Sequence, residues 1–153
     1  MILYLVQHGE AKREEEDPTR PLSDKGVEDV KKIASFLSGL KITVEEVLHS
    51  SKLRAKQTAE ILAGSLVITK SVSEADGLAP LNDPNVWAER LKGKRESTML
   101  VGHLPHLGKF SSFLLSGDQE KNIIAFRMGS AVCMKRDDEG AWTLQWMITP
   151  EIV

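Results

Sequence analysis

Hydrophobic positions along the chain fall into two patterns. The first is the short unbroken apolar run. Ile2 to Val6 has no polar alternation, which is the habit of a parallel strand covered on both faces. Val44 to His49 and Thr98 to Val101 are further strand candidates, and Leu66-Val67-Ile68-Thr69 is another, expected toward an edge. The second pattern is recurrence at three and four residues, the signature of a helix with one apolar face. Val27, Val30, Ile33, Ala34 and Leu37 follow it, with Ser23 as N-cap, Asp24 in the first turn and Gly39 as the stop. A second helix is expected over Lys52 to Ala63, capped by Ser50-Ser51, facing the core with Leu53, Ile61 and Leu62, and ended by Gly64. A short helix is expected over Pro84 to Leu91. Another begins at Pro105 and buries Leu107, Phe110, Phe113 and Leu114 before Gly117-Asp118.

Between these elements lie polar breaks. Lys12 to Arg20, with Glu14-Glu15-Glu16-Asp17, reads as a solvated loop, and Ser73 to Asn85 is rich in turn residues. The tail, Ser130 to Lys135 and Trp142 to Met147 around Asp137-Asp138-Glu139-Gly140, reads as a hairpin. Trp142 and Trp146 are four apart, which in a regular strand puts both on one face, in the core by default. Strands alternating with helices, then a hairpin, predict an α/β fold. It is a three-layer α/β/α sandwich with a mostly parallel sheet and antiparallel strands at one edge. No linker or repeat interrupts it, so residues 1–153 are expected to form one domain.

Composition narrows the function classes. A 41% hydrophobic and 27% charged chain with a formal net charge of -2 suggests neither nucleic acid nor an anionic membrane as partner. No apolar run is long enough to span a bilayer. The N-terminus enters a strand without a basic region or cleavage site, which argues for the cytoplasm. The single cysteine, Cys133, lies in an apolar run and reads as a small buried hydrophobe.

The candidate chemistry sits where strands end. His8-Gly9 follows the first run and Gly102-His103 follows Thr98 to Val101. In open α/β sheets ligands bind at the carboxyl ends of strands. Arg20 and Arg54 each stand close to a helix start, where free N–H groups and the macrodipole favour anions. An arginine fork adds bidentate binding of phosphate oxygens. Two histidines and two arginines at one sheet edge suggest a phosphate site. His103 and His106, three apart across Pro105, make only a weak case for a metal, and no metal or other cofactor is expected. His49 is expected to pack or hydrogen-bond at its strand end.

Four segments carry a resemblance. Gln7-His8-Gly9-Glu10 is similar to the Arg-His-Gly motif of the histidine phosphatase superfamily. Arg20-Pro21-Leu22-Ser23-Asp24-Lys25-Gly26, Ser50 to Thr58 and Val101-Gly102-His103-Leu104-Pro105 follow in matching order and spacing. More narrowly, the chain resembles the small SixA-type phosphohistidine phosphatases. The resemblance implies a phosphoglycerate mutase-like fold and a phosphatase that removes phosphoryl groups from phosphohistidine of a protein. It further implies His8 as the nucleophile that carries the phosphoryl group, and Arg20, Arg54 and His103 as its ligands. The implied partner is a phosphorylated protein domain, and a monomer is expected. Phosphoryl transfer asks chiefly for placement and charge stabilisation, which such a set supplies.

Two departures matter. Position 7 is Gln where the pattern has Arg, so this phosphate contact loses its charge and fork unless Lys12 or Lys52 supplies one. The loop where superfamily members acting on alcohol phosphates carry a general acid offers Glu74, Asp76 and Asp83 as candidates, with no clear match to the acid position among them. Imidazole leaves with little help because its reference pKa is about 6.5, whereas an alkoxide must be protonated. Lacking a clear acid therefore favours an N–P substrate. Two alternatives remain: a phosphatase of small phosphate esters, and a weakened, non-catalytic module that binds phosphate or phosphoproteins through Gln7, Arg20, Arg54 and His103.

Overall fold

The computed structural model describes residues 1–153. In chain order the elements are β1 (Ile2–Gln7), α1 (Asp24–Gly39), β2 (Thr43–His49), α2 (Leu53–Ala63), β3 (Val67–Glu74), α3 (Pro84–Lys92), β4 (Thr98–Gly102), α4 (His106–Ser116), β5 (Ala131–Arg136) and β6 (Trp142–Ile148). The strands form one sheet in the order β3-β2-β4-β1-β5-β6. β3, β2, β4 and β1 run parallel, β5 runs antiparallel to β1, and β6 antiparallel to β5. This is the mixed sheet the hydrophobic pattern predicts, with β3 at an edge.

β1 is central and covered on both faces. Tyr4 and Val6 face one layer, where α1 and α2 contribute Val30, Ile33, Ala34, Leu37, Ala59 and Leu62. Leu3 and Leu5 face the other, against Trp87, Leu91, Leu107 and Phe110 of α3 and α4. Period-two alternation thus sorts an unbroken apolar run into two cores. α1 starts as predicted, with Ser23 Oγ accepting from Gly26 N at 3.0 Å. Gly26 is there because the chain passes so close: a Cβ would lie 2.0 Å from the Glu10 carbonyl oxygen. Cys133 is buried in the first core, and burial pushes its thiol up to about 11.

Several local expectations are corrected. β3 extends to Glu74, five residues past Thr69 and two into the expected Ser73–Asn85 loop, because it pairs with β2 through His49. The core face of α2 is Ala55, Thr58, Ala59 and Leu62, with Leu53 and Ile61 only half-buried. Its N-cap is Lys52, without a side-chain bond. Ser51 caps nothing, and Ser50 receives the Lys52 N–H. On α4 the buried set is His106, Leu107, Phe110, Ser111 and Ser112, while Phe113 and Leu114 are half-buried. Trp142 and Trp146 do not share a face. A bulge between Cys133 and Met134 pairings leaves Gln145 as the extra residue, which reverses the alternation. Trp146 therefore packs in the first core, 6.1 Å from the Tyr4 ring, and Trp142 against the second.

Candidate active site

The register of the sheet brings the two strand-end histidines together. β1 and β4 pair Val6 with Val101 and Gln7 with Gly102. One residue further come His8 and His103, and His8 N donates to Gly102 O at 3.1 Å. Their ring centroids are 4.9 Å apart. On the other side of β4, His49 pairs with Val101. Ser50 N then donates to Val101 O at 3.2 Å, and the Ser50 hydroxyl lies 2.5 Å from His103 Nε2.

His8 is held in one tautomer. Its Nδ1 is 2.6 Å from the Gly9 carbonyl oxygen. A carbonyl only accepts, so Nδ1 carries the proton and Nε2 the lone pair. Burial, opposed by that bond and assisted by the charges of Arg54 and Arg20, lowers the His8 pKa to about 4. The ring is therefore neutral near pH 7. Burial, then His8, Arg54, Lys52 and His106, lower that of His103 to about 3. In the ligand-free protein His103 is also neutral, rather than the imidazolium that would be the stronger anion partner.

Arg54 stands in the first turn of α2, and its Nε is buried without a partner in the protein. Arg20 lies in the loop before α1 with φ of 47°. Its Nε donates to Lys12 O at 3.1 Å. The loop is tied at its base by Lys12 N to Pro21 O at 2.8 Å and by Leu22 N to Gln57 Oε1 at 2.7 Å. The helix that carries Arg54 thus also anchors the segment that carries Arg20. Thr58 adds a third tie: its hydroxyl accepts from Gly9 N at 3.0 Å and donates to Arg54 O at 2.8 Å. Gln7 is buried, with its Oε1 unpartnered. Of the two lysines considered as substitutes for an arginine at position 7, the charge of Lys52 bears on His103 and that of Lys12 on Asp17.

Sequence reasoning singled out His8, Arg20, Arg54 and His103, and the fold brings them to one sheet edge. It missed Ser50, Gln57 and Thr58, whose bonds to His103, Leu22 and Gly9 span 53, 35 and 49 residues. Only the run Ser50 to Thr58 as a block pointed to them. Gly9 makes room for α1, since a Cβ there would lie 2.7 Å from Val30 Cγ2.

A cavity of about 450 Å³ adjoins the site through Ser50, lined by Ser51, Glu74, Asp76, Asn82 and Asp83 among others. Asp76 pairs with Arg90 at 2.9 Å, which with their hydrogen bond lowers its pKa. Asp83 caps α3, accepting from Asn85 N at 3.0 Å. The Glu74 carboxylate makes no hydrogen bond or ion pair. His49 Nδ1 lies 2.8 Å from Ser50 O, a satisfied strand-end histidine. His106 is buried, stacked on Phe110 at 5.7 Å, with both ring nitrogens unpartnered. Nowhere do three His, Cys, Asp or Glu side chains gather as metal ligands do.

Comparison with known proteins agrees with this geometry. The family model described as the histidine phosphatase superfamily (branch 1) matches residues 3–81. The chain belongs to the histidine phosphatase superfamily. It is 27% identical to the phosphohistidine phosphatase SixA of Escherichia coli strain K12, over 98% of this chain and 94% of that one. An uncharacterized protein of Picosynechococcus sp. is 33% identical over 97% of this chain and 99% of its own. Among solved structures, SixA complexed with tungstate superposes with a TM-score of 0.85 at 28% identity, covering 98% of this chain and 97% of that one. The α-ribazole phosphatase of Shigella flexneri, at 15% identity and a TM-score of 0.79 over 98% and 97% of the two chains, shares the fold. These relationships make the chain a phosphatase of the phosphoglycerate mutase-like fold. No helix is long and apolar enough to cross a membrane.

Proposed function

We propose that the protein removes the phosphoryl group from phosphohistidine of a partner protein, with His8 as nucleophile. The observation that carries the reading is the set of polar atoms at the sheet edge. His8 presents Nε2 as a lone pair, while His103 Nδ1 and Arg54 Nε are buried beside it with no partner in the protein. Buried polar groups are nearly always paired, and a phosphoryl group supplies the acceptor oxygens these donors need. Likeness to SixA, named for that activity in E. coli, supports the same substrate class.

On this reading Arg20, Arg54 and His103 hold the equatorial oxygens, and Gln7 adds a neutral donor. His8 Nε2 attacks phosphorus as the P–N bond to the substrate imidazole breaks. The leaving ring departs neutral when its second nitrogen already carries a proton. Water then attacks the phosphoryl group on His8, the P–N bond to His8 breaks, and inorganic phosphate leaves. The chain works as one domain and one monomer, in the cytoplasm, on a phosphorylated protein domain.

The test compares turnover of a phosphohistidine protein, phosphoramidate and p-nitrophenyl phosphate, with trapping of the labelled enzyme. The N–P substrates should dominate, and the adduct should be acid-labile, base-stable and absent in His8→Ala. Preference for the ester, or an adduct in His8→Ala, would overturn the proposal.

A further inference from the structure

The hydrogen bonding around Ser50 determines which face His103 presents to the phosphoryl group. Ser50 is buried just past the end of β2, held by its own N–H to Val101 O. Its Oγ accepts from Lys52 N at 3.3 Å and lies 2.5 Å from His103 Nε2, and no other acceptor is within hydrogen-bond reach of the hydroxyl. Two arrangements are conceivable. If His103 Nε2–H donated to Oγ, the hydroxyl would receive two protons and its own would have no acceptor, in a buried place where that is costly. If the hydroxyl donates to Nε2, the hydroxyl proton and the Nε2 lone pair satisfy each other. The proton of the neutral ring then sits on Nδ1, the buried nitrogen that has no partner in the protein.

We propose that Ser50 is a positioning residue that fixes His103 in the Nδ1–H tautomer and so aims a hydrogen-bond donor at the phosphoryl oxygens. The proposal rests on the reading of His103 as a phosphoryl ligand. A neutral imidazole with the opposite tautomer would turn a lone pair toward an anion, so the tautomer decides between attraction and repulsion. The same Oγ receives the N–H of Lys52, the N-cap of α2 two residues before Arg54, so one hydroxyl aligns the histidine and the helix start that carries the arginine. Ser50 itself need not touch substrate.

The experiment is long-range ¹H–¹⁵N NMR of the ligand-free protein, which reports the tautomer of each histidine, combined with vanadate titration. The wild-type spectrum should show His103 protonated at Nδ1, with Nε2 of the lone-pair type. Ser50→Ala should give a tautomer mixture and weaken vanadate roughly ten- to a hundredfold, the range for losing a hydrogen bond to a charged group. Ser50→Thr, which keeps the hydroxyl, should restore both. A wild-type His103 protonated at Nε2, or a Ser50→Ala protein that keeps the Nδ1–H tautomer and full affinity, would overturn the proposal. His103→Ala separates the two levels. If it binds vanadate as tightly as wild type, the phosphoryl-ligand reading of His103 fails, whatever the tautomer.

Discussion

On the His8 side of Ser50, His103 Nδ1 and Arg54 Nε are buried with no partner in the protein. On the other side, between β3 and α3, two of the three carboxylates are already engaged, Asp76 by Arg90 and Asp83 by the start of α3. The first region is held from outside, by Thr58, Gln57 and the two strand ladders, so its reactive atoms stay unpaired. The second uses its own acidic groups to hold its backbone. Preorganised donors aimed at a transferred group contribute most in such chemistry. A leaving group that needs no acid makes few demands on the second region. The difference between the two regions is what the proposed N–P substrate asks for.

The largest effect is expected within the first region. Arg54 has its Nε free, whereas Arg20 commits its Nε to Lys12 O. Arg54→Ala should therefore lower kcat/KM on phosphoramidate by roughly 100- to 1,000-fold, the range for removing one preorganised donor. Arg20→Ala should lose less. A larger loss at Arg20 would mean that the loop, not the helix start, carries the charge that matters.

Keeping polar atoms unpaired should also show in stability. His8, His103 and His106 have pKa values lowered to about 4, 3 and 4, each with burial as the first cause. The unfolded chain takes up these protons near pH 6.5, and the folded protein only about two or more units lower. Stability is thus full above about pH 6.5 and falls as pH drops toward 4, by up to about 1.4 kcal/mol per pH unit per histidine. Urea unfolding at pH 7.5, 6 and 5 measures it. His106→Leu should flatten the slope, since that ring has no partner to lose, and an unchanged slope would show that His106 takes up its proton equally in the folded and unfolded states.

The fold, and the gathering of His8, Arg20, Arg54 and His103 at one sheet edge, were legible in the sequence because they rest on local signals. Ile2 to Val6 announces a doubly covered strand, and His8 and His103 announce themselves by ending strands beside glycines. What was not legible depends on distant partners. No local signal marks Gln145 as a bulge, so Trp142 and Trp146 were assigned one face. β3 is long because β2 pairs with it, not because Lys70 to Glu74 is apolar. Ser50 looked like a cap and is a partner of His103 instead.

Gln7→Arg asks whether the first region is at full strength. Gln7 is the last residue of β1, beside the proposed nucleophile His8, and offers one neutral donor. A charged, bidentate contact in its place should raise kcat/KM or tighten vanadate by about 1–2 kcal/mol, roughly five- to thirtyfold. The competing outcome is a site rebuilt around Gln7 with a lysine supplying charge, and Lys52 is the lysine whose charge bears on His103. If Gln7→Arg is slower and Lys52→Ala loses nearly all activity, the charge has been relocated rather than lost.

The smallest expected effect decides most about the second region. Glu74 ends β3, lines the cavity that Ser50 shares, and has no ion pair or hydrogen bond on its carboxylate. It is therefore the one carboxylate there still able to act as a general acid. With an imidazole leaving group that ability is superfluous, and Glu74→Gln should change kcat/KM on phosphoramidate by less than about threefold. General acid catalysis contributes roughly 100-fold or more where it is needed. A loss of that size on p-nitrophenyl phosphate or a sugar phosphate, with esters the better substrates, would make Glu74 the acid and the protein an ester phosphatase. Asp76→Asn is the control, because its pairing with Arg90 keeps that carboxylate ionised and unable to donate. If both variants act alike on every substrate, the loop serves only to shape the groove, and the choice between N–P and O–P substrates lies wholly with the basicity of the leaving group.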